Sequence, residues 1–181
     1  ALELVDPAHA DWIGDAQRAI RKLRHGTGEE FAIEHIGSTS VPGLPAKDVI
    51  DLQLLVPDLT AARELAPRLA ELGYPGAEMS DHLGEESTEG KWFHANTDPG
   101  RAVNLHVRTA DSVGVRFARA FRDLLIVDTG ERDRYLELKR DRLAEAKAAG
   151  GTNGQMMRTY AESKEPYFLQ MRRRLVPDSF D

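Results

Sequence analysis

Apolar residues near the start of the chain follow a helical spacing. Between Ile13 and Leu23 they recur at intervals of three, four and three residues, which places them on one face of an α-helix. The pattern predicts a helix over Pro7–Leu23. Gly26 and Gly28 come next, and because glycine weakens a helix, we expect the helix to end there.

Two short β-prone segments follow, separated by a loop rich in glycine and proline. The first is Phe31–Ile36, and the second is Val49–Val56, which is apolar almost throughout and stops at Pro57. A nearly continuous apolar run of this length is typical of a buried strand. The exceptions are Asp51 and Gln53, which alternate with apolar neighbours and so share one face of the predicted strand.

The middle of the chain predicts a helix, a loop and a hairpin. A second helical stripe runs from Ala62 to Leu72, and the acidic, glycine-containing segment Tyr74–Gly90 is expected to be a mobile loop. Two strand-like segments joined by a turn then predict the hairpin: Lys91–Asn96, Ala102–Arg108 and the turn Asp98-Pro99-Gly100.

The remainder of the chain predicts three helices: one from Asp111 onward, one over Glu131–Ala149, and one over Asn153–Leu175. Strands, a hairpin and many helices in this order predict a small mixed β-sheet packed by helices, in the α/β or α+β class. We expect a single compact domain, with residues 1–110 as its α/β core and residues 111–181 as C-terminal helices packed on that core.

Composition fits a globular cytoplasmic protein. The chain has 181 residues, of which 41% are hydrophobic and 30% charged, enough for an ordinary core. No apolar run approaches the roughly 18 residues of a membrane span, and no signal-peptide pattern is present, so we expect no membrane contact. The chain has no cysteine, which excludes disulfides and thiolate metal sites. It begins at Ala1 without a methionine, as a piece of a longer protein would.

Charge is unevenly distributed along the chain. The net charge of −6 argues against nucleic acid as a partner. Between Val115 and Arg174, however, fourteen Lys/Arg stand against nine Asp/Glu, a net charge of +5, which leaves −11 for the rest. An acidic part beside a basic part can receive an anion bridged by a metal. Solvated faces of charged helices are the alternative interpretation.

The segment from His35 to Asp51 carries the most informative chemistry. A strand enters the turn Gly37-Ser38, and glycine there lets the backbone approach a ligand closely while amides and hydroxyls donate to phosphate oxygens. Asp51 lies on an otherwise apolar strand, where a carboxylate is costly to bury unless it is paired or metal-bound. A plain strand connection, with Ser38 in a turn and Asp51 paired to an arginine, explains the spacing equally well. Neither the GxxxxGK[ST] phosphate loop nor GxGxxG is present.

The same segment, HIGSTSVPGLPAKDVIDLQL, closely resembles the signature of the GrpB (UPF0157) family. Further resemblances cover most of the chain: NLHVR from Asn104, FRDLL from Phe121, YLELKR from Tyr135 and YAESKEPYF from Tyr160. The resemblance implies a nucleotidyltransferase-like fold. In that superfamily a Gly-Ser turn precedes a strand with two carboxylates one residue apart, a third carboxylate comes from a neighbouring strand, and the acids bind two magnesium ions for transfer from a nucleoside triphosphate.

Carried over position by position, the motif is incomplete. Gly37-Ser38 and Asp51 match, but Gln53 stands at the second acidic position and His106 at the third. Two hard divalent ions require several anionic oxygens, so these three residues would hold magnesium poorly, although they suit one softer ion or a substrate phosphate. The implied catalytic residues are Asp51, His106 and Ser38, the implied metal ligands are Asp51, Gln53 and His106, and the implied cofactor is a divalent metal such as Mg²⁺.

The implied ligand is a nucleotide or another phosphorylated small molecule. Its predicted binding residues combine the turn with basic side chains from the loop, the last strand and the C-terminal helices: Gly37, Ser38, Thr39, Lys47, Arg108, Arg122, Lys139 and Lys164. The alternative is an exposed loop lysine for Lys47, and taken alone each of the other basic residues is more typical of a surface ion-pair partner. His35 and His106 are candidates for ligand contact or proton transfer, and hydrogen-bonded structural histidines are the alternative.

A second implied function is non-catalytic. The variant AKDVIDLQ, Ala46 to Gln53, resembles GrpB-like domains fused to dephospho-CoA kinase in actinobacteria. The resemblance implies an accessory or regulatory domain in coenzyme A biosynthesis whose partner is a kinase domain, in cis or in trans. Since these 181 residues hold no kinase phosphate loop, the chain itself is not expected to phosphorylate dephospho-CoA.

Overall fold

One mixed β-sheet organises the chain. The computed structural model describes residues 2–28, 30–81, 89–96 and 100–180. Within these ranges five strands pair in the order β1-β2-β5-β4-β3, with β2 and β5 parallel and the other neighbours antiparallel. The strands are β1 Ile33–Ile36, β2 Val49–Val56, β3 Gly76–Asp81, β4 Glu89–Ala95 and β5 Ala102–Thr109. The mixed sheet packed by helices is the fold class that the sequence predicts.

Helices cover both faces of this sheet. Their bounds are α1 Trp12–Thr27, α2 Leu59–Glu71, α3 Val113–Val127, α4 Thr129–Ala149, α5 Asn153–Glu162 and α6 Glu165–Leu175. Most begin at a side chain that accepts a hydrogen bond from the first turn, as preferred N-cap residues do. These caps are Asp11, Asp58, Ser112, Asp128 and Thr152. No helix in the described ranges combines the length and the hydropathy required to cross a lipid bilayer.

The two central strands divide their side chains between an apolar face and a polar face. On β2, Leu52 and Leu54 are fully buried in a core shared with α1 and α2, and Leu105 on β5 belongs to the same cluster. Because side chains alternate along a strand, Asp51 and His106 point to the opposite face. That face lies toward α3 and the helices after it, whose aromatic side chains form a second cluster.

The parallel register of β2 and β5 aligns their polar positions. Asp51 lies opposite Asn104, and Gln53 lies opposite His106. Parallel neighbours this close place four polar side chains in a small area of one sheet face. The register therefore brings together residues that are more than fifty positions apart in the sequence.

The prediction of a loop over Tyr74–Gly90 is wrong for part of this segment. Gly76–Asp81 forms the strand β3, and β4 begins at Glu89. The strand escapes detection because it lies at the sheet edge, where the residues from Gly76 to Met79 are exposed and show no alternation of apolar and polar positions. Residues 82–88 of the expected loop lie outside the described residues. So do Asp98 and Pro99 of the expected turn, although the β4–β5 hairpin itself is present.

The boundaries of two predicted helices also differ from expectation. The first helix begins at Trp12 and not at Pro7, since Pro7–His9 forms a separate 3-10 turn. It continues through Gly26 to Thr27 and ends at Gly28, whose φ of 95° terminates it. Gly26 remains inside the helix at a close approach, because a Cβ there would lie 2.4 Å from a methyl carbon of Leu72. The last predicted helix is split into α5 and α6. Pro166 causes the split, since in a continuous helix its ring would clash with a carbonyl of the preceding turn.

Candidate ligand-binding site

A cavity of about 330 Å³ lies between the polar face of the sheet and the helices that cover it. This volume is at the lower end of the range of about 300–1,000 Å³ typical of small-molecule sites. Nine of the residues predicted from the sequence line it: Gly37, Ser38, Thr39, Lys47, Asp51, His106, Arg108, Lys139 and Lys164. Much of the remaining wall is apolar or aromatic, from Ile36, Ala46, Val49, Phe117, Ala118, Phe121, Tyr135, Tyr160 and Phe168.

Three candidate residues lie outside this cavity: Gln53, Arg122 and His35, the last of which lines a separate depression with Arg122. Gln53 is fully buried, its amide nitrogen donates to Glu34 Oε2 at 2.7 Å, and its amide oxygen accepts from Arg108 Nη1 at 3.4 Å. Both polar atoms of that amide are therefore already used within the protein. Arg122 lines a separate depression and donates to the backbone carbonyl of His35 at 3.2 Å.

The Gly37-Ser38 turn is held in place before any ligand arrives. Gly37 has φ 76° and ψ −161°, a region essentially restricted to glycine. Ser38 opens a short 3-10 turn, Ser38–Ser40, in which Ser40 Oγ donates to the carbonyl of Gly37 at 2.6 Å. Thr39 Oγ1 lies 2.9 Å from His35 Nε2. The hydroxyls of the turn are thus oriented by protein partners at the cavity wall.

Asp51 is a charged carboxylate at this wall, with one third of its side chain exposed. Burial acts to raise the pKa of Asp51, but His106, Asn104 and Lys47 together outweigh it, so the pKa lies below its usual value. Asn104 Nδ2 donates to Asp51 Oδ1 at 3.1 Å, and His106 Nε2 stands 3.5 Å from the same oxygen. At neutral pH Asp51 contributes one negative charge to the cavity.

The two candidate histidines are uncharged at neutral pH. Burial lowers the pKa of His35 to about 4, and burial also lowers the pKa of His106 despite the nearby carboxylate of Asp51. Phe93 meets the His106 ring edge-on, with the ring centroids 5.3 Å apart. The imidazole of His106 is therefore fixed between an aromatic ring and a carboxylate as a neutral polar group.

Three lysines converge on the cavity and are called the lysine cluster here: Lys47, Lys139 and Lys164. Lys47 Nζ lies 5.4 Å and Lys164 Nζ 4.1 Å from the centroid of the Tyr160 ring. Lys139 is only 2% exposed, donates to the carbonyl of Pro45 at 2.6 Å, and lies 5.4 Å from the Tyr135 centroid. The aromatic faces partly compensate these ammonium groups, since a ring face attracts a cation.

The lysine cluster is short of negative charge. Burial, with repulsion from the neighbouring lysines, lowers the pKa of Lys139 to about 7 and that of Lys164 to about 8. Burial also lowers the pKa of Lys47, against the attraction of Asp51. The cavity therefore brings together three lysines whose charged forms are disfavoured and one carboxylate, that of Asp51.

Tyr160 adds an unused donor to this group. The residue is fully buried at the cavity wall, and its hydroxyl has no hydrogen-bond partner among the described residues. Burial raises the pKa of Tyr160 to about 12, so the hydroxyl keeps its proton. A buried hydroxyl without a partner costs free energy, and a ligand oxygen in the cavity would remove that cost.

Sequence reasoning missed several wall residues. Asn104, Tyr135, Tyr160 and Phe168 line the cavity but were not predicted as site residues. All four lie within the segments that carry the family resemblance, NLHVR, YLELKR and YAESKEPYF. Their position in those segments is the signal that could have identified them.

The side chains at the expected metal position fit a pair of magnesium ions poorly. Among the described residues no group of three or more His, Asp or Glu side chains is arranged to hold a metal. Asp51 is the one carboxylate at the cavity within that part of the chain. Its neighbours Asn104 and His106 are neutral, whereas two hard cations require several anionic oxygens.

The fold class is that of the nucleotidyltransferases. The chain superposes on a cytoplasmic RNA terminal U-transferase with a TM-score of 0.52 at 18% identity, covering 77% of this chain and 42% of that one. A variant of the Cid1 poly(U) polymerase bound to MgATP gives a TM-score of 0.50 at 13% identity over 78% of this chain and 45% of the other. At these identities the likeness concerns the fold alone.

Within that fold class the chain belongs to the GrpB family, whose sequence profile, described as GrpB protein, matches residues 2–174. The crystal structure of the conserved protein GrpB from Enterococcus faecalis superposes with a TM-score of 0.71 at 22% identity, covering 99% of each chain. A UPF0157 protein of Streptomyces coelicolor is 32% identical over 77% of this chain and 70% of its own length.

Longer relatives carry the name dephospho-CoA kinase. The kinase of Mycolicibacterium paratuberculosis is 36% identical over 93% of this chain, and that of Mycobacterium tuberculosis is 36% identical over 90%. The matches cover 44% and 43% of those proteins, so the chain spans less than half the length of these relatives.

Proposed function

We propose that the cavity binds a phosphorylated small molecule, such as a nucleotide, and that the catalytic site of the nucleotidyltransferase fold is weakened here. The observation that carries the proposal is the lysine cluster, with three ammonium groups on a cavity that they share with the carboxylate of Asp51. Arg108, which is 6% exposed, lines the same cavity and adds a fourth positive charge.

Electrostatics favour a ligand with more than one negative charge. Two like charges about 4 Å apart repel by ~4 kcal/mol at an effective dielectric constant near 20, so crowding ammonium groups without anions is unfavourable. Burial is the largest cause of the lowered pKa values of Lys139 and Lys164, and repulsion between the lysines adds to it. A phosphate monoester, diphosphate or triphosphate would convert the repulsion into attraction and would accept hydrogen bonds from the same groups.

The polar turn and the apolar wall suggest how such a ligand would lie. A phosphate can accept from the backbone and hydroxyls at Ser38 and Thr39 and from the lysine cluster, while the apolar part contacts the aromatic wall of α3 and α6. With Asp51 as the cavity carboxylate and neutral Asn104 and His106 beside it, full two-metal transfer is not supported.

Binding is expected to weaken as pH rises from about 6.5 to about 9, by roughly tenfold to a hundredfold in Kd, because Lys139 and Lys164 lose their protons in this range. The groups facing them are Lys47, Asp51 and the Tyr160 hydroxyl; Asp51 is already charged and Tyr160 still neutral over that range. Calorimetric titration with ATP, ADP and pyrophosphate at several pH values measures the effect.

A matched pair of variants controls this experiment. Lys164→Met removes a cavity ammonium and is expected to reduce affinity and flatten the pH dependence, whereas Lys147→Met changes an exposed lysine on α4 and leaves both unchanged. Equal affinities for wild type and Lys164→Met, or no binding of any phosphorylated compound, would contradict the proposed function.

A second candidate function is that of an accessory domain for a dephospho-CoA kinase. It is favoured by the kinase relatives, in which a region 36% identical to this chain makes up less than half of the protein. Adding this chain to a mycobacterial relative that lacks the matched region would test the idea. A saturable gain in kinase stability or activity supports the accessory role, and no change at micromolar concentrations counts against it.

A further inference from the structure

The cavity differs from a metal-dependent site in two respects, its small number of carboxylates and its large number of basic side chains. Carboxylates are scarce at the position where the fold would hold metal ions, with Asp51 beside neutral Asn104 and His106. At the same time the lysine cluster and Arg108 supply positive charge to the same cavity. Together these four side chains carry up to four positive charges, as many as two divalent cations do.

We propose that the lysine cluster takes the place of the metal ions, so that the cavity binds the phosphate group of its ligand as a metal-free anion. The phosphate would sit against Lys47, Lys139 and Lys164 and accept a hydrogen bond from the Tyr160 hydroxyl. This inference rests on the proposed function, and it specifies which form of the phosphorylated ligand is bound and by which groups.

The charge of Asp51 is already balanced from within the cavity. Lys47 and Lys164 both interact electrostatically with Asp51, and His106 and Asn104 lie at its Oδ1 atom. A divalent cation at Asp51 would approach these ammonium groups and would be repelled by them. A free phosphate meets the opposite situation, because the three lysines that attract it outnumber the single carboxylate of Asp51 that repels it.

Most of the basic side chains at the cavity are lysines, although arginine is the more abundant basic residue in the chain. The chain contains eighteen arginines and six lysines, yet three of those six lysines lie on this cavity. Arginine stays charged under all conditions, whereas a buried lysine can release its proton. Lysines can therefore be crowded in an empty cavity at a tolerable cost and can regain their charge when an anion arrives.

The Tyr160 hydroxyl provides a second observation that points to a ligand at the same place. It is fully buried, has no hydrogen-bond partner among the described residues, and belongs to the ring that Lys47 and Lys164 both approach. A buried hydroxyl without a partner, on a ring that two lysines approach, can donate a hydrogen bond to a phosphate oxygen.

Magnesium provides the decisive test. Kd for ADP and for pyrophosphate is measured by calorimetry in EDTA and in excess MgCl₂ at matched ionic strength. We expect binding in EDTA and weaker binding in magnesium, by roughly threefold to thirtyfold, because chelation neutralises charge on the ligand. Binding that requires magnesium would overturn the inference while leaving the proposed function intact. Absence of binding under both conditions would overturn both.

Asp51→Asn supplies the second arm of the test. The change is isosteric, keeps an acceptor for Asn104 and removes one negative charge from the cavity. We expect ADP affinity in EDTA to stay the same or to improve by up to about tenfold. A loss of more than about tenfold, in a variant whose melting curve shows that it is folded, would mean that a cation held by Asp51 bridges the ligand, which contradicts the inference.

Discussion

Lys139→Met is expected to raise the stability of the ligand-free protein at pH 7 by about 2 kcal/mol while removing most of its affinity for phosphorylated ligands. The lysine is 2% exposed and has a pKa lowered to about 7 by burial and by its lysine neighbours. In the unfolded chain the same side chain titrates near its ordinary value of about 10.5. At pH 7 the Lys139 side chain is charged in the unfolded chain, and folding moves it to a buried position that disfavours the charge.

The magnitude follows from two opposing contributions. Lowering the pKa of Lys139 from about 10.5 to about 7 reduces the free energy of unfolding by roughly 5 kcal/mol, at about 1.4 kcal/mol per pH unit. A methionine at this position has no charge to bury and avoids this loss. Against it stand the hydrogen bond from Lys139 to the Pro45 carbonyl, worth about 1–3 kcal/mol once that carbonyl is left buried, and the contact with the Tyr135 ring, worth roughly 1 kcal/mol. The lysine penalty is the larger contribution.

The sign of the pH dependence follows from the same pKa values. Between about pH 7 and about pH 10.5 the unfolded chain binds more protons at residue 139 than the folded protein does, so this lysine makes wild-type stability increase with pH. The advantage of Lys139→Met is therefore largest at and below about pH 7, shrinks by about 1.4 kcal/mol per pH unit above it, and reverses at roughly pH 8.5.

Thermal denaturation of both proteins at pH 7 and pH 9 measures this effect. An increase of roughly 4–8 °C in Tm is expected at pH 7, and no increase or a slight decrease at pH 9, because two pH units remove about 2.7 kcal/mol of the advantage. Lys147→Met, an exposed change on the same helix, serves as the control and should leave Tm nearly unchanged. A Lys139→Met variant that melts below wild type at pH 7 would show that Lys139 is compensated in the empty cavity and is not held there at a cost.

The polar and apolar pattern of the sequence predicted most of the strands of the sheet and the strand face on which the site residues lie. Alternation along Val49–Val56 placed Asp51 and Gln53 on one face, and the structure shows that face turned away from the α1 and α2 core. The strand β3 was missed because an exposed edge strand buries neither face and so carries no periodic signal.

Contacts between distant segments account for what the sequence could not provide. Gln53 was a predicted metal ligand, but Glu34 and Arg108 take both ends of its amide, and neither partner is recognisable from sequence spacing. Lys47 and Lys139 are more than ninety residues apart, and only the packing of α4 over the loop brings them together. Local patterns predict which face a residue occupies, and tertiary contacts decide whether it is available to a ligand.

Gly37→Ala is expected to destabilise the protein by about 3–5 kcal/mol and to abolish ligand binding. Gly37 adopts φ 76° and ψ −161°, which costs an L-residue about 1–3 kcal/mol. In addition, an added Cβ would lie 2.9 Å from Asp51 Oδ2 and 3.2 Å from Asp51 Cβ, so the carboxylate or the turn must move. Urea denaturation and calorimetric titration with pyrophosphate measure the two effects.

Gly43→Ala separates strain of the backbone from the collision with Asp51. Gly43 has nearly the same φ, 77°, and lies in the same loop, and among the described residues other than its chain neighbours no heavy atom is within 4 Å of the position that a Cβ would occupy. Its variant is expected to lose only about 1–2 kcal/mol and to keep its affinity for pyrophosphate. Equal destabilisation of Gly37→Ala and Gly43→Ala, with equal affinity for pyrophosphate, would contradict the prediction. It would mean that the close contact between Gly37 and Asp51 does not determine the shape of the cavity. A larger loss at Gly37 alone, with loss of binding, would tie the geometry of the turn directly to the site.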